Sequence, residues 1–258
     1  MQPRLAGQRA GMTSSHGAAA EIYAALGDSI SIDLYAGGPG RGGASLLARN
    51  RDADFPQWRG HDLATVRPEL GFALLATDGG TTTSVLDVQL PRLESRDTVP
   101  RVVTLTVGGN DVLAAYGDTR AALEIVTSVG TRVSRVLDRL HALVAPSDPV
   151  VVGTVYDPSD GTGEAWRVGL PPWPDVVDVL AELNATLRAV ADQHGALVAD
   201  IHGHFLGHGL RVGDPGQPDA RPGDRRLWYC NIIEPNAWGA DAVRAAFWAA
   251  LQSTASRA

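Results

Sequence analysis

Short apolar runs rich in β-branched residues alternate along the chain with longer segments whose apolar residues recur at helical spacing. The runs have the length and composition of buried β-strands, and five of them occur, at residues 21–26, 71–76, 101–107, 149–155 and 196–201. Helical spacing begins near residue 85 and recurs over residues 119–144, 175–194 and 237–252. The pattern therefore predicts a regular succession of strands and helices.

This succession predicts one α/β domain over residues 21–258. Parallel neighbouring strands need crossover connections, which helices supply, so the pattern favours a five-stranded parallel sheet with helices on both faces. A hydrophobic content of 44% and a charged content of 20% are those of an ordinary globular protein with an ample core. Residues 1–20 contain no comparable apolar run, and we expect them to form a disordered or extended N-terminal segment.

Charge and cysteine content restrict the partners and the compartment. The formal net charge of −7 argues against nucleic acid or an anionic membrane as the main partner. No stretch reaches the roughly 18 apolar residues of a membrane span, and no secretory signal is apparent. Cys230 is the only cysteine, which excludes an internal disulfide and fits a reducing compartment. We expect a cytoplasmic protein without a membrane span, and the sequence leaves its oligomeric state open.

Polar and glycine-rich clusters follow the ends of four predicted strands. They lie at residues 27–29, 78–80, 108–111 and 200–208. In an open parallel sheet the ligand site lies beyond the carboxyl ends of the strands. We therefore expect these clusters to meet at one edge of the molecule and to form the functional site.

Ser29 is the candidate nucleophile of this site. It follows the first strand and precedes a predicted short helix at residues 30–35, so its hydroxyl group would be exposed beside backbone N–H groups. Negative charge that develops during attack on an acyl carbon is stabilised in such a place. The alternative is that Ser29 only caps the following helix.

Asn110 and the glycines of the second cluster can supply the donors of an oxyanion hole. Asn110 follows two glycines, and Gly79 or Gly80 offers a backbone N–H that no Cβ obstructs. Together with the Ser29 backbone they place three donors around one point. The alternative is that these residues form ordinary turns and helix caps.

The sequence resembles the SGNH hydrolase family, also called GDSL esterases and lipases, over residues 21–251. The resemblance is carried by three strings, which are ALGDSI with Ser29, GGTTTSVLDVQL with Gly79, and TVGGND with Asn110. It implies a flavodoxin-like three-layer α/β/α sandwich with strand order 2-1-3-4-5, and hydrolysis of a small-molecule ester or related acyl bond without a cofactor. It also implies an oxyanion hole of Ser29, Gly79 and Asn110. The further residues expected to contact substrate are Asp28, Gly80, Asp111 and His204.

The last family block, normally Asp, two residues and His-Pro-Asn, is changed here. The chain reads Asn231-Ile232-Ile233-Glu234-Pro235-Asn236. Glu234 thus occupies the position of the histidine base, and Asn231 that of the acid that orients it. A carboxylate, with an ordinary pKa of about 4.3, accepts the serine proton less readily than imidazole, at about 6.5, unless burial raises its pKa.

Three hypotheses follow from this change. In the first, Glu234 is the base and Asn231 holds it by a hydrogen bond. In the second, a loop histidine, His208 or His204, reaches Ser29. In the third, hydrolysis is lost and the protein binds a ligand or transfers an acyl group. Glu234 could also serve only as a carboxylate at the start of the last helix.

Two further features of the loops allow more than one interpretation. The histidines His202, His204 and His208, with Asp200, could hold zinc, but isolated loop histidines are more common and no metal site is expected. The tryptophans expected near the same edge are Trp58, Trp166 and Trp173. They could line an apolar acyl pocket or merely anchor their loops.

Overall fold

A computed structural model describes residues 19–166, 169–221 and 223–255. Its main sheet has five strands, namely β1 (Ala20–Gly27), β2 (Gly71–Leu74), β3 (Thr98–Thr106), β4 (Val150–Gly153) and β5 (Leu197–Ala199). The strand order is β2-β1-β3-β4-β5, and every neighbouring pair is parallel. The predicted fold class and strand order are confirmed. Of the predicted N-terminal segment 1–20, residues 1–18 lie outside the described residues.

Helices connect the strands and cover both faces of the sheet. They are α1 (Gly43–Ala48), α2 (Leu63–Val66), α3 (Thr82–Ser84), α4 (Leu90–Glu94), α5 (Gly109–Leu113), α6 (Thr119–His141), α7 (Val176–Gln193), α8 (Ile201–Phe205) and α9 (Ala237–Ala255). A π-helical turn (Val85–Gln89) joins α3 to α4, and a 3-10 turn spans Pro56–Trp58. The three long helices lie where the spacing of apolar residues predicts them.

Two predictions about short segments are wrong. Residues 30–35 form a series of turns and not a helix, with Ser31 N–H bonded to the Asp28 carbonyl and Ile32 N–H to that of Ser29. The fifth strand ends at Ala199, because the Asp200 side chain accepts a hydrogen bond from Gly203 N–H and so caps α8.

Alternating side chains of the strands form two separate cores. In β1, Ile22, Ala24 and Leu26 pack with the apolar faces of α6 and α7. Tyr23 and Ala25 point the other way and pack with α1 and α9. This period of two is the one expected of a sheet covered on both sides, and it produces three layers.

A small antiparallel hairpin directly precedes α9. Its strands are β6 (Tyr229–Cys230) and β7 (Glu234–Pro235), with Tyr229 opposite Pro235 and Cys230 opposite Glu234. The sequence pattern does not predict this hairpin, since two-residue strands carry no periodicity. It is nevertheless what delivers Glu234 to the carboxyl edge of the main sheet. Within the described ranges, no helix combines the length and apolar character needed to cross a membrane.

Candidate active site

The turn that carries Ser29 is fastened to the end of β3. Gly27 has φ of 121°, and a Cβ atom there would lie 1.8 Å from the Thr106 carbonyl oxygen, so only glycine fits. The Thr106 hydroxyl group accepts a hydrogen bond from Asp28 N–H at 3.4 Å and bonds to the Ser31 hydroxyl group at 2.9 Å. Ser29 is thereby held, largely buried, at the wall of a cavity.

Asp28 lies beside the nucleophile as a buried carboxyl group. It is 1% exposed, and its Oδ1 accepts a hydrogen bond from Ile30 N–H at 3.2 Å. Burial, with a smaller contribution from the charge of Glu234, raises the pKa of Asp28 to about 7. Asp28 is therefore protonated in slightly acidic solution and ionises near neutrality.

We expect Asp28→Asn to stabilise the protein at pH 8 and to have little effect at pH 4. The unfolded carboxyl ionises near pH 4 and the folded one near pH 7, so the stability that Asp28 contributes is lost as the pH rises through this window. The gain should reach at most about 4 kcal/mol in the free energy of unfolding. Urea unfolding at both pH values measures it. The exposed Asp97→Asn is the control, and a gain independent of pH would contradict the assignment.

Glu234 meets Ser29 at the edge of the sheet. Burial raises the pKa of the Glu234 carboxyl group, a hydrogen bond with the Ser29 side chain lowers it, and the charge of Asp78 raises it further. The net direction is upward. The Oε2 atom of Glu234 is buried and has no hydrogen-bond partner in the described structure. The arrangement therefore joins a hydroxyl group to a carboxyl group that is more basic than an ordinary glutamate.

Asn231 does not take the place predicted for it. Its side chain lies near the Tyr35 hydroxyl group, and the same hydroxyl group donates to Asp78 at 3.1 Å. No hydrogen bond joins Asn231 to Glu234 among the described residues. The physical reason is the backbone of the turn, since φ is 44° at Asn231 and 77° at Ile232. This left-handed conformation carries the Asn231 side chain towards Tyr35.

The loop histidines His204 and His208 are not among the residues that line the cavity beside Ser29. The His208 ring is buried and stacks on Trp228 with 3.6 Å between ring centroids, and its Nδ1 atom bonds to the Arg226 carbonyl at 3.0 Å. Burial lowers the pKa of His208. His204 is exposed on α8. Neither histidine hydrogen-bonds to Ser29 in the described part of the chain, and the structure does not favour either as the base.

The zinc hypothesis finds no support in the arrangement of these side chains. His202 bonds through Nδ1 to the Val155 carbonyl at 3.2 Å, and Asp200 pairs with Arg188 at 2.6 Å. Over residues 19–166, 169–221 and 223–255 the structure contains no group of three or more histidine, cysteine or acidic side chains able to hold a metal ion.

The predicted oxyanion donors surround the same end of the sheet. Asn110 lines the cavity with Ser29, and its Nδ2 atom donates to the Gly80 carbonyl at 3.0 Å, which leaves a second N–H on that nitrogen. Gly79 is exposed with φ of 65° and has open space around it. Gly80 instead packs on the backbone of Gly27, where a Cβ atom would lie 2.3 Å from the carbonyl oxygen. Gly80 therefore separates two loops, and neither Gly79 nor Gly80 is among the residues that line the cavity.

Asp111 was predicted to contact substrate, but it does not line the cavity. It instead connects α5 to α3. Its carboxylate accepts hydrogen bonds from Thr82 N–H at 2.9 Å and from the Thr82 hydroxyl group at 2.6 Å, and Arg132 lies 3.6 Å away. Consecutive residues of a helix face different directions. Asn110 and Asp111 are consecutive in α5, so only Asn110 lines the cavity with Ser29.

A largely apolar cavity of about 100 Å³ opens beside Ser29. Apolar walls come from α5, from α7 and from the loops that follow β4 and β6, including Val112, Leu113, Tyr116, Tyr156, Trp173, Val176, Leu180, Ile232 and Ile233. Trp173 is fixed by a hydrogen bond from its Nε1 atom to the Thr119 hydroxyl group at 2.9 Å. Of the three predicted tryptophans, Trp173 lines the cavity. Trp58 instead packs against Arg244, and Trp166 is exposed.

The profile of the GDSL-like Lipase/Acylhydrolase family matches residues 25–242. The chain belongs to this family. No curated protein sequence matches the chain.

Solved structures resemble this GDSL-like chain in fold. An extracellular lipase from Streptomyces rimosus has a TM-score of 0.60 at 22% identity, over 90% of this chain and 100% of that one. A phospholipase A1 from Streptomyces albidoflavus NA297 has a TM-score of 0.55 at 24% identity, over 92% and 99%. A variant of an acetyl xylan esterase from Geobacillus stearothermophilus has a TM-score of 0.55 at 18% identity, over 91% and 95%.

Sequence reasoning missed several residues of the GDSL-like site. Tyr156, Ile232 and Ile233 line the cavity, and Tyr35 contacts Asn231. Tyr156 could have been found, because it directly follows the fourth strand and so belongs to the same edge as the predicted clusters. The others lie in loops whose paths carry no signal in the sequence.

Proposed function

We propose that this protein is a serine ester hydrolase with Ser29 as the nucleophile and Glu234 as the general base. The observation that carries the proposal is the contact of the Ser29 hydroxyl group with the half-buried carboxyl group of Glu234, whose pKa is raised. Membership of a lipase and acylhydrolase family supports it. Apolar walls beside the nucleophile offer a place for an acyl group.

In the first step the Ser29 oxygen attacks the ester carbonyl carbon while its proton passes to Glu234. The new C–O bond forms as the carbonyl electron pair moves onto oxygen. Backbone N–H groups of Ser29 and Gly79, with the free N–H of Asn110, donate to the resulting oxyanion. A protonated Asp28 beside the nucleophile adds no negative charge to repel it.

In the second step Glu234 returns the proton to the leaving alcohol as the tetrahedral intermediate collapses to an acyl-Ser29 ester. Water then attacks this ester while Glu234 accepts a proton from it. The carboxylic acid leaves, and Ser29 recovers its proton from Glu234. The carboxyl group thus alternates between base and acid, as the histidine of a serine triad does.

The cavity favours an uncharged, apolar acyl group. Two carboxyl groups are among its lining residues, Asp28 and Asp157. Asp157 accepts hydrogen bonds from the Ser159 N–H and hydroxyl groups at 2.8 and 2.6 Å and from Gly161 N–H at 2.8 Å. Because both carboxyl groups have internal hydrogen bonds, most of the remaining contacts available to an acyl chain are hydrophobic.

We expect kcat/KM for p-nitrophenyl esters to rise from acetate to butyrate and hexanoate. Burying each methylene group contributes about 0.8 kcal/mol, which corresponds to about fourfold per CH₂ until the cavity is full. Val176→Phe narrows the cavity and should move the preference to shorter chains. Steady-state rates with the ester series measure this, and a phosphonate ester that labels serine nucleophiles should modify the peptide containing Ser29.

Val177→Phe is the matched control, because Val177 neighbours Val176 on α7 but does not line the cavity. It should leave the chain-length preference unchanged. Absence of both hydrolysis and phosphonate labelling in the wild type would refute the proposal and favour a non-hydrolytic protein that binds ligand or transfers acyl groups.

A further inference from the structure

The turn directly before Glu234 has a backbone conformation that Ile232 disfavours. It connects β6 to β7 through residues 231–233, and φ is positive at both Asn231 and Ile232. A β-branched residue such as Ile232, at φ of 77°, is strongly disfavoured in the left-handed region. Such a backbone persists only where its surroundings hold it.

Tyr156, which lies outside the hairpin, hydrogen-bonds to the backbone of this turn. Its hydroxyl group donates a hydrogen bond of 2.6 Å to the carbonyl of Ile233, the residue directly before Glu234. Tyr156 follows β4, 77 positions away in the chain. This hydrogen bond therefore connects the edge of the main sheet to the backbone next to the proposed base.

The Tyr156 ring is itself rigidly placed. It stacks on Phe205 with 4.6 Å between ring centroids and packs edge-on against Tyr229 at 5.0 Å. Burial, with the charges of Glu234 and Asp28, raises the pKa of Tyr156 well above its ordinary value. The hydroxyl group thus keeps its proton and remains a donor over the whole range in which the protein could work.

Among the residues that the structure describes, no side chain other than that of Ser29 hydrogen-bonds to Glu234, so the orientation of Glu234 depends on its backbone. Asn231 is turned towards Tyr35, and Oε2 of Glu234 has no partner in the described structure. The titratable groups around Glu234 are Asp28, Asp78, Tyr35, Tyr156 and Cys230.

We propose that Tyr156 is the positioning residue for Glu234. Its hydroxyl group fixes the turn 231–233 and so keeps the carboxyl group against Ser29. The inference rests on the proposed function, in which that carboxyl group is the base. It assigns Tyr156 the task that a side chain in the position of Asn231 would otherwise perform.

The test is Tyr156→Phe, which removes one hydroxyl group and keeps the ring. We expect kcat for p-nitrophenyl butyrate to fall by about 10- to 100-fold, as for a small misplacement of a catalytic group, with KM changed by less than about threefold. The acid limb of the pH–rate profile should move to lower pH, because a released Glu234 loses the burial that raises its pKa.

Tyr229→Phe is the matched control. Tyr229 belongs to the same aromatic cluster, but its buried hydroxyl group has no hydrogen-bond partner in the described structure. We expect its rate and pH profile to stay within about twofold of the wild type. Equal losses in both variants, in parallel with equal losses of thermal stability, would show that the cluster acts only through packing and would overturn the proposal.

A second measurement does not depend on turnover. In protein labelled with ¹³C at the glutamate carboxyl, the signal of Glu234 is assigned by its absence in Glu234→Gln, and its titration gives the pKa directly. This pKa should fall in Tyr156→Phe and stay constant in Tyr229→Phe. An unchanged pKa in Tyr156→Phe overturns the positioning role even if the protein proves not to be a hydrolase, whereas loss of Ser29-dependent hydrolysis alone concerns the proposed function.

Discussion

Replacing Glu234 with glutamine is expected to lower kcat/KM for the preferred ester by about 10³-fold, the typical contribution of a general base. Glutamine keeps the size and can still contact Ser29, but it cannot accept the proton. The pH dependence gives the second signature. The base works only when ionised, so wild-type activity is lost as the pH falls through the raised pKa of Glu234. This acid limb of the pH–rate profile should be absent in the variant.

Two companion variants make the result specific. Glu234→His should recover much of the lost rate, with an acid limb near the ordinary imidazole pKa of about 6.5. Asp78→Asn removes a charge that raises the pKa of Glu234, so its acid limb should move to lower pH with a much smaller loss of rate. Full activity in Glu234→Gln would mean that another group, such as a loop histidine, is the base.

Ser29→Ala should have the largest effect, a loss of about 10⁴-fold or more in kcat together with loss of the acyl-enzyme. The side chain supplies the atom that bonds to the acyl carbon, and no neighbouring group can replace it. Rapid-quench mass spectrometry of the wild type with a slow ester should show an adduct on the peptide containing Ser29. The variant should show no adduct, and its residual rate would be the contribution of the oxyanion donors.

Ser31→Ala serves as the control for this substitution. Ser31 lies two residues further in the same turn, and its hydroxyl group bonds to Thr106 at 2.9 Å. We expect a loss of about 1 kcal/mol in the free energy of unfolding and retention of the acyl adduct. A Ser29→Ala protein that hydrolyses esters at the wild-type rate would rule out the nucleophile.

The positions best predicted from sequence are those that the ends of the strands determine. Ser29 follows β1 and Asn110 follows β3 after two glycines, so their meeting requires only that neighbouring strands be parallel. Successive side chains of β1 pack alternately into the two cores, as expected of a continuous apolar run in a sheet covered on both faces, which is why the layers were also predictable. For these residues, the order and direction of the strands are enough to predict where the side chains lie.

The other features of the site depend on backbone conformations that the local sequence disfavours or does not specify. The sequence does not predict two successive left-handed residues at Asn231 and Ile232, because asparagine tolerates that conformation but a β-branched isoleucine strongly disfavours it. The expectation that Asn231 holds Glu234 therefore failed. Asp111 was misassigned because α5 begins at Gly109 and directs successive side chains apart. The apolar cavity is built by loops that are distant in sequence, and their packing follows no periodic rule.

The three proposed oxyanion donors follow the ends of three different strands. Ser29 follows β1, Gly79 follows β2 and Asn110 follows β3, and these strands are neighbours in the sheet. No isolated hairpin or helix of the chain contains all three donors. If these groups act as proposed, the rate of ester hydrolysis reports whether all three strands are folded together. A partly folded chain that has lost any one of them would then be inactive even with Ser29 chemically intact.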